Sequence, residues 1–596
     1  MIVTMKKVSL LCLAADRERT LDALCDLGVM HVTPAQPPAG PELDALRKQR
    51  AEAEKALAVL ARFSDGQPAA GRKPPPAADL APTVLSESRR LADMEARISE
   101  LEAERTAIAP FGAFDPAAAR RLSQAGVSIR LFVAPSLKGM EPPAGFTMQP
   151  LGQTASGQAF ALVGRGQPVF DGAREVQIPE RGIQEVERLI GDARRSAEES
   201  RAARRRLAAG EAELRRLSES LAEQTLFAEA RAGMGADRGI CWLQGFCPEP
   251  RLAELEEAAR AKGWALLARD PEQGDSVPTL IRIPRWARPI QSVFDLTKIL
   301  PGYHEADVSA SFMLFLSLFF ALIIGDAGYG IVFLALTLWA RRKLRTAPPE
   351  PFHLLTVMSA ATIVWGTLCG TWFGVCSKAL PFQPMQEIAA WLSSNDNMTW
   401  LCLLIGSIHL TVAHAWNVVR FVNTPQALAQ FGWILMTWAL FLVARLMLLG
   451  QQCPPALLIG LFGAGIVLIL LFMTPVRKLK SEWINHAMLP LSLMSGFGDI
   501  LSYMRLFALS MAGVQLAGSF NSIALSMGAG SVAGSIGMAL ILFFGHALNI
   551  VLGAMSVLVH GIRLNALEFS MHMGLEWSGQ PYRPFARRGR DAVPAK

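Results

Sequence analysis

The chain has 596 residues, 51% of them hydrophobic, a mean hydropathy of +0.28 and a formal net charge of +7. It is too apolar for a water-soluble protein of this length, and the apolarity is concentrated: residues 1–305 are rich in Arg, Glu and Ala, whereas 309–575 are dominated by Leu, Ile, Phe, Met, Gly and Ala. The basic residues gather beside apolar segments and along charged helices, which speaks for membrane topology and against nucleic-acid binding, and no G-x-x-x-x-G-K-[ST] loop is present to hold a nucleotide.

The opening MIVTMKKVSLLCLAADRERT places two lysines before an apolar run. That run is short, gives way to DRER and lacks a cleavage site, so it reads as a buried first strand rather than a secretory signal. The polar half is therefore expected in the cytoplasm. KKVSLLCLAADRERTLDALCDLGVMHVTP reads strand, helix, strand, with Leu21, Leu24 and Leu27 along the helix. GICWLQGFCPEPRLAELEEAARAKGWALLARD repeats the pattern over 239–270, so one α/β lobe is expected from 1–36 together with 236–290. Between them lie helical arms over 41–108 and 183–232 with heptad-like apolar seams. The piece joining the arms, 109–182, alternates short strands (VSIRLFVAP, GQAFALVGRG) with Gly/Pro turns. The implied object over 1–305 is an antiparallel coiled-coil rod with an α/β lobe at each end, its first arm broken by the Pro-rich stretch 66–83. Eight cysteines without a C-x-x-C pair argue against zinc and against a disulfide framework, and read as small apolar fillers.

Seven apolar segments follow: 309–340, 354–376, 398–420, 427–449, 455–474, 485–521 and 536–572. Seven crossings would put the C-terminus outside, against the charges. ARRKLR (340–345), PVRKLK (475–480) and RPFARRGR (583–590) are strongly basic and belong inside, whereas the loops 377–397, 450–454 and 522–535 carry only Lys378, Glu387 and Asp396. The conflict disappears if 309–340 crosses twice, as a hairpin turning at GDAGYG (325–330), for eight crossings in an all-α membrane domain. Each hairpin arm, about 16 residues, is short against the ~20 that span a bilayer, so it must be sheltered by other helices or sit in thinned membrane. Asp326 is expected at the turn, in the outer headgroup region. The last two segments are too long instead: about 37 helical residues extend ~55 Å against ~30 Å of hydrocarbon, so they tilt, bend or protrude.

Within 487–572 the only acidic or basic residues apart from histidines are Asp499, Arg505, Arg563 and Glu568. Asp499 and Arg505 are six apart, Arg563 and Glu568 five, and neither spacing suits a helical ion pair as four would. Arg505 has 20 residues of its segment before it and 16 after, too deep to snorkel, and burying it in a bilayer costs at least ~2.5–3.5 kcal/mol. A bridge to another helix of this chain stays open, although the other segments offer few acids; the alternative is a carboxylate supplied by another membrane subunit. An arginine facing such an acid favours its charged form and cannot itself lose its proton.

SYMRLFALSMAGVQLAG and LVHGIRLNALEFSMHMGLEWSGQPYRPF closely resemble the last two helices of the membrane stator subunit of rotary V-type and archaeal-type ATPases, subunit I in prokaryotes and subunit a in eukaryotes. FFALIIGDAGYG, YHEAD and IGSIHLTVAHAWNVVRFVNTPQALAQFGW look like that family too. The resemblance implies that Arg505 is the family's essential arginine, facing the ion-carrying glutamate of a rotating proteolipid ring, and that Arg563 is its second arginine. His560 falls where members carry His or Gln, and Asp499 where members often have a half-channel histidine. Gly513 and Gly553 stand where some eukaryotic members have His and Glu, so those roles do not carry over. The ion path is then expected among Gln515, Glu568, His546, His409 and His414.

The resemblance further implies a non-rotating subunit that couples H⁺ or Na⁺ movement to ATP synthesis or hydrolysis, without a cofactor and without catalysis of its own. Its partners would be the c/K proteolipid ring, E/G-type peripheral stalks at the two lobes, the C/d-type central-stalk protein and membrane lipid. The site would be a prokaryotic inner membrane, with 306–575 translocating ions, 576–596 a tail and both termini cytoplasmic. Two other readings compete. An independent secondary transporter or channel leaves the rod unexplained, and a membrane-anchored scaffold leaves Arg505 without a purpose.

Overall fold

The computed structural model describes the chain apart from residues 62–75, 114, 139, 155–156, 167–172, 273, 346, 377–382, 475–482, 529 and 588–596. The basic loop 475–480, Lys378, the basic end 588–590 and most of the Pro-rich break therefore lie outside the described residues.

The N-terminal half runs β1 (Met5–Leu13), α1 (Arg17–Leu27), β2 (His31–Thr33), α2 (Pro41–Leu60), α3 (Ala77–Ile108), α4 (Pro116–Gln124), β3 (Ser128–Ala134), β4 (Phe146–Thr154), β5 (Gly157–Gly164), β6 (Arg174–Val176), α5 (Ile183–Leu207), α6 (Glu211–Gly233), β7 (Gly235–Asp237), β8 (Ile240–Pro248), α7 (Leu252–Lys262), β9 (Ala265–Arg269) and β10 (Pro278–Thr279). Alternation along β1 buries Val8 and Leu10, and the helical spacing of α1 lays Leu21 and Leu24 onto them. The strand order β2-β8-β1-β9 makes the two strand–helix–strand units interleave: β8 pairs antiparallel with both β1 and β2, and β1 with both β8 and β9. Neither unit can close its sheet alone. The second sheet, β4-β5-β3-β6, is antiparallel throughout, with Phe132 and Phe160 stacked at 5.6 Å.

Between the sheets, α3 lies antiparallel to α5, with Arg201–Glu95 at 2.8 Å and Arg194–Glu102 at 2.5 Å. α2 lies antiparallel to α6, tied by Arg47–Glu229 at 2.9 Å and by Arg231–Glu42. Leu60, Leu80, Val84 and Leu214 make the dry seam; exposed ion pairs like these add little to it. The helical break over 66–83 ends earlier than its composition suggests. α3 starts at Ala77 and carries Pro82 inside it, at the loss of one helical hydrogen bond.

The membrane half follows as α8 (Gln291–Thr297), α9 (Ser309–Ile324), α10 (Ala327–Lys343), α11 (Glu350–Cys369), the ribbon β11 (Thr371–Trp372) and β12 (Val375–Cys376), α12 (Gln383–Leu392), α13 (Asn395–Arg420), α14 (Gln426–Leu449), α15 (Pro455–Phe472), α16 (Trp483–Ala487), α17 (Leu489–Ser502), α18 (Met504–Ser526) and α19 (Val532–Ser556). Through Tyr503, α17 and α18 run as one span of 38 residues; α19 continues through π-helical Val557–Gly561 and Leu564–Phe569 into α20 (Ser570–Met573), 42 residues in all. Among the described residues, six helices are long and apolar enough to cross a membrane, and α9 is a shorter apolar one. With 16 residues α9 reaches only ~24 Å, but Phe312, Phe319, Leu322 and most of its other side chains are buried by neighbouring helices. Its ends therefore meet protein rather than lipid.

The turn between α9 and α10 falls at Gly325, φ 65°, and Asp326. Asp326 faces inward: it is 1% exposed and accepts from the backbone N–H groups of Tyr329 (3.2 Å), Phe373 (2.9 Å) and Gly374 (2.7 Å). Buried N–H groups at a helix start and a tight ribbon need an acceptor, and one carboxylate serves both. Gly374 has φ 75°, and a Cβ there would lie 2.4 Å from that of Ala517, so the ribbon abuts α18.

The two halves are stitched together at the YHEAD segment and the C-terminal end. The Met1 ammonium meets Asp307, the Met5 N–H donates to Tyr303 Oη at 3.0 Å, and Glu305 accepts from the Glu576 N–H at 3.0 Å. The described part of the tail, 576–587, is docked on the N-terminal half. β13 (Gln580–Pro581) pairs parallel with β10, the Tyr582 hydroxyl donates to the Val29 carbonyl at 2.7 Å, and Phe585 is buried in the core of the first lobe. Arg587 then closes on Asp22 at 2.9 Å.

Candidate functional site

The titratable residues expected along the ion path lie on α13, on the α17–α18 span or on the final span. Tyr503, fully buried where α17 meets α18, places its hydroxyl 2.8 Å from His409 Nδ1. His409 is sandwiched between Phe315 (3.9 Å between centroids) and Phe569 (4.3 Å, 7° between planes) and lines none of the cavities described below. The two rings cover both faces of the imidazole, and its Nε2 is buried without a hydrogen-bond partner.

Arg505 follows two residues later. Its Nη1 is buried without a hydrogen-bond partner, and among the described residues no acid pairs with it. Arg563, half-exposed, does have a partner: its Nε is 3.5 Å from Oε1 of buried Glu568. The spacing of five, unfavourable on an α-helix, becomes a same-face spacing because Leu564–Phe569 is π-helical, with i→i+5 bonding; Ser570 Oγ accordingly donates to the Asn565 carbonyl five residues back, at 2.9 Å. The other Glu568 oxygen and His560 Nδ1 are buried and unpaired. Both His560 and Glu568 lie within electrostatic range of Arg505 and Arg563. Unpaired buried polar atoms are costly, so their concentration around Arg505 marks an unmet demand for a partner. Gln515 is exposed on α18, and its side chain bonds to none of the described residues.

On the side of the N-terminal half, a cavity of about 450 Å³ holds a hydrogen-bonded chain drawn from four helices. Gln430 Oε1 is 2.8 Å from His414 Nδ1, His414 Nε2 is 2.9 Å from His572 Nδ1, and His572 Nε2 is 3.1 Å from Asp499 Oδ2. Such a chain can pass a proton by alternating which ring nitrogen carries it. Asn417 donates to the His572 carbonyl at 3.0 Å and leaves its own Oδ1 unpaired.

Toward the other end of α18 a second cluster forms. Tyr329 Oη is 2.7 Å from His546 Nδ1, His546 Nε2 is 3.1 Å from Asn521 Oδ1, and Asn549 donates to Tyr329 Oη at 3.0 Å and to the Gly513 carbonyl at 2.9 Å. It borders a mostly apolar cavity of about 220 Å³ between α9, α18 and α19. With ~1.5 Å of rise per residue, Arg505 stands ~9 Å along the span from Asp499 and ~12 Å from Gly513, between the two clusters.

No family model matches the chain. It is similar to V-type ATP synthase subunit I 1 of Treponema pallidum, 30% identical over 631 residues that cover 99% of this chain and 100% of that protein. The chain belongs to the V-type ATP synthase subunit I family. It is also similar to V-type ATP synthase subunit I of Borreliella burgdorferi (34% over 383 residues, 61% of this chain and 62% of that one) and to A-type ATP synthase subunit I of Methanocaldococcus jannaschii (25% over 378 residues, 58% and 54%). The crystal structure of the cytoplasmic N-terminal domain of a V-ATPase subunit I aligns with 44% of this chain at 18% identity, but its TM-score of 0.23 is too low to bear on the fold.

The chain is thus a multi-pass, non-catalytic membrane subunit of a rotary ATPase, associated with other subunits of that complex. The structure brings His414 to Asp499, and His560 and Glu568 to the two arginines, while His546 stands apart at the other cluster. Sequence reasoning overlooks His572, Gln430, Tyr503, Tyr329, Asn521 and Asn549. The one available signal is for His572, a histidine inside the stretch EFSMHMGLEW at the end of the last span.

Proposed function

We propose that the chain is the non-rotating ion-conducting subunit of its complex, with Arg505 facing an intramembrane carboxylate on a rotating proteolipid ring. The membrane half crosses eight times, α9 and α10 as a short hairpin, with both termini and the Gln430–His414–His572–Asp499 cavity on the cytoplasmic side. That cavity is one half-channel; the His546–Tyr329–Asn549–Asn521 cluster lines the other, on the far side. An ion entering by one neutralises a ring carboxylate, which travels through lipid with the ring. On its return Arg505 stabilises the ionised carboxylate, and the ion leaves by the other half-channel. The fixed guanidinium also bars a direct leak between the two. Each charge crossing 100 mV supplies ~2.3 kcal/mol, so several must pass for each ATP.

The N-terminal half, as a coiled-coil rod, holds this machinery against the torque, with E/G-type peripheral stalks on its two lobes and the C/d-type central-stalk protein near the ring. The observation that carries the reading is a half-buried guanidinium, its Nη1 buried and unpaired, between two separate polar clusters. Arg505→Ala and Arg505→Lys in the assembled, reconstituted complex are expected to reduce ATP-driven ion uptake to background while the complex still assembles. Uptake at the normal rate in either variant overturns the assignment.

A further inference from the structure

The Asp499 cavity has a neighbour beyond the helix ends. A second cavity, about 460 Å³, shares Arg420 and Gly574 with it. Its walls come from three places far apart in sequence: Asp275–Val277 of the N-terminal lobe, Gly302–Glu305 of the YHEAD segment, and Glu576 to Gln580 beyond the last helix. The lobe is thus part of the wall.

We propose that this second cavity is a vestibule through which the translocated monovalent cation reaches the His572–Asp499 pair, so that the N-terminal lobe forms part of the conduction path. The inference rests on the half-channel reading above and extends it to a site outside the membrane helices. Three observations support it. The lining is polar and predominantly acidic, with Asp275, Glu305 and Glu576 set against Arg420 and His304; an acidic recess raises the local concentration of cations.

The walls are also preformed. Asp275 is held by Lys7 at 2.5 Å and by the Glu272 N–H at 2.8 Å, and Lys7 keeps its carboxyl below the usual range. Glu305 accepts from the N–H groups of Gly302 and Glu576 and from Ser578 Oγ, at 2.8, 3.0 and 3.3 Å. Arg420 is fixed at the divide by donating to the His304 carbonyl at 2.6 Å. Finally, Asn417 lines the inner cavity beside Arg420, 4% exposed, with its Oδ1 unpaired. A buried amide oxygen in a polar cavity of this size calls for water, which continues the wet route inward.

The test uses the assembled complex in vesicles with the N-terminal half outward. Ser276→Cys and Ser578→Cys place thiols in the vestibule, and Ser495→Cys places one in the inner cavity. Each is treated with a bulky impermeant maleimide or with methyl methanethiosulfonate, which adds only a methylthio group. ATP-driven ion uptake is compared with that of the unlabelled variant and of the parent chain treated alike, with labelling checked by mass spectrometry. The bulky adduct at any of the three positions is expected to remove most of the uptake, and the methylthio adduct to leave it. Uptake that survives complete bulky labelling at Ser276→Cys and Ser578→Cys, while the Ser495→Cys adduct abolishes it, overturns the vestibule and leaves the half-channel standing. Uptake that also survives at Ser495→Cys overturns both. A methylthio adduct as damaging as the bulky one assigns the loss to the joint between the halves and overturns the vestibule.

Discussion

α13 and the final span are both apolar enough to cross a membrane, yet 61% of the most apolar stretch of α13 is buried within this chain and only 11% of that of the final span. Exposure alone says little, since lipid covers Leu and Phe as well as a neighbouring helix does. The polar groups separate the two. His409 and His414 on α13 both find bonding partners on other helices of this chain. Around the final span and α18, Arg505, His560 and Glu568 keep buried atoms without partners, and lipid cannot supply them. α13 also leaves His409 Nε2 and Asn417 Oδ1 unpaired, so the difference is one of charge: beside the final span the unmet atoms include one of a permanent cation, Arg505 Nη1.

The comparison breaks first at Asp499. Asp499→Asn removes the acid from the chain that His414 and His572 complete, and ATP-driven uptake should fall about 10²–10⁴-fold with assembly intact. A loss within twofold would put the cavity outside the path. Next comes the tail: Phe585→Ala empties a filled position of the first lobe's core, and ~3–5 kcal/mol should be lost, read as faster hydrogen exchange of the β1 amides in the full chain. Unchanged protection would show that the tail only rests on the lobe.

His409→Phe sharpens the contrast between packed and conducting histidines. It should cost ~1–3 kcal/mol of stability through the lost Tyr503 bond and tighter packing, with uptake preserved; a collapse of uptake in a well-assembled variant would put His409 in the path.

Smaller still is a pH effect at the joint. Burial holds the His31 ring below its usual pKa, and its Nδ1 accepts the Arg583 N–H at 3.0 Å. A lowered folded value means that the unfolded joint takes up the proton first, so stability is constant above ~6.5 and declines as pH falls from there toward the folded value. Exchange of the Arg583 amide should quicken over that interval, and His31→Gln should remove the dependence. Least of all, Arg201→Ala, which breaks an exposed pair between α3 and α5, should leave the midpoint of a thermal melt nearly unchanged and uptake untouched.

What sequence makes legible here is what rests on local pattern. Alternation in VSLLCL, the Gly28 stop and the Leu21–Leu24 spacing are enough to foresee β1, α1 and β2, and the excess length of the last two segments is visible by counting. That Arg505 has no acid at helical ion-pair spacing on its own segment is equally a matter of counting. The hidden features are of two kinds. Some join residues remote in the chain: His572 to Asp499, Asp326 to Phe373 and Gly374, Phe585 to the first lobe. No periodicity encodes a contact between helices whose mutual rotation is set by packing. The other kind is a change of helical register. Arg563 and Glu568 look mismatched at 3.6 residues per turn and meet because the span there is π-helical, an effect of tertiary packing on the backbone that residue types do not announce.

The central claim is that the counter-charge of Arg505 belongs to another polypeptide. A cryo-electron microscopy structure of the assembled complex measures it directly, as the distance from the Arg505 guanidinium to the nearest carboxylate. The expected result is a ring carboxylate from a different chain within about 4–6 Å in at least one rotational state. An Arg505 that instead closes on Glu568 of its own chain in every state contradicts the account.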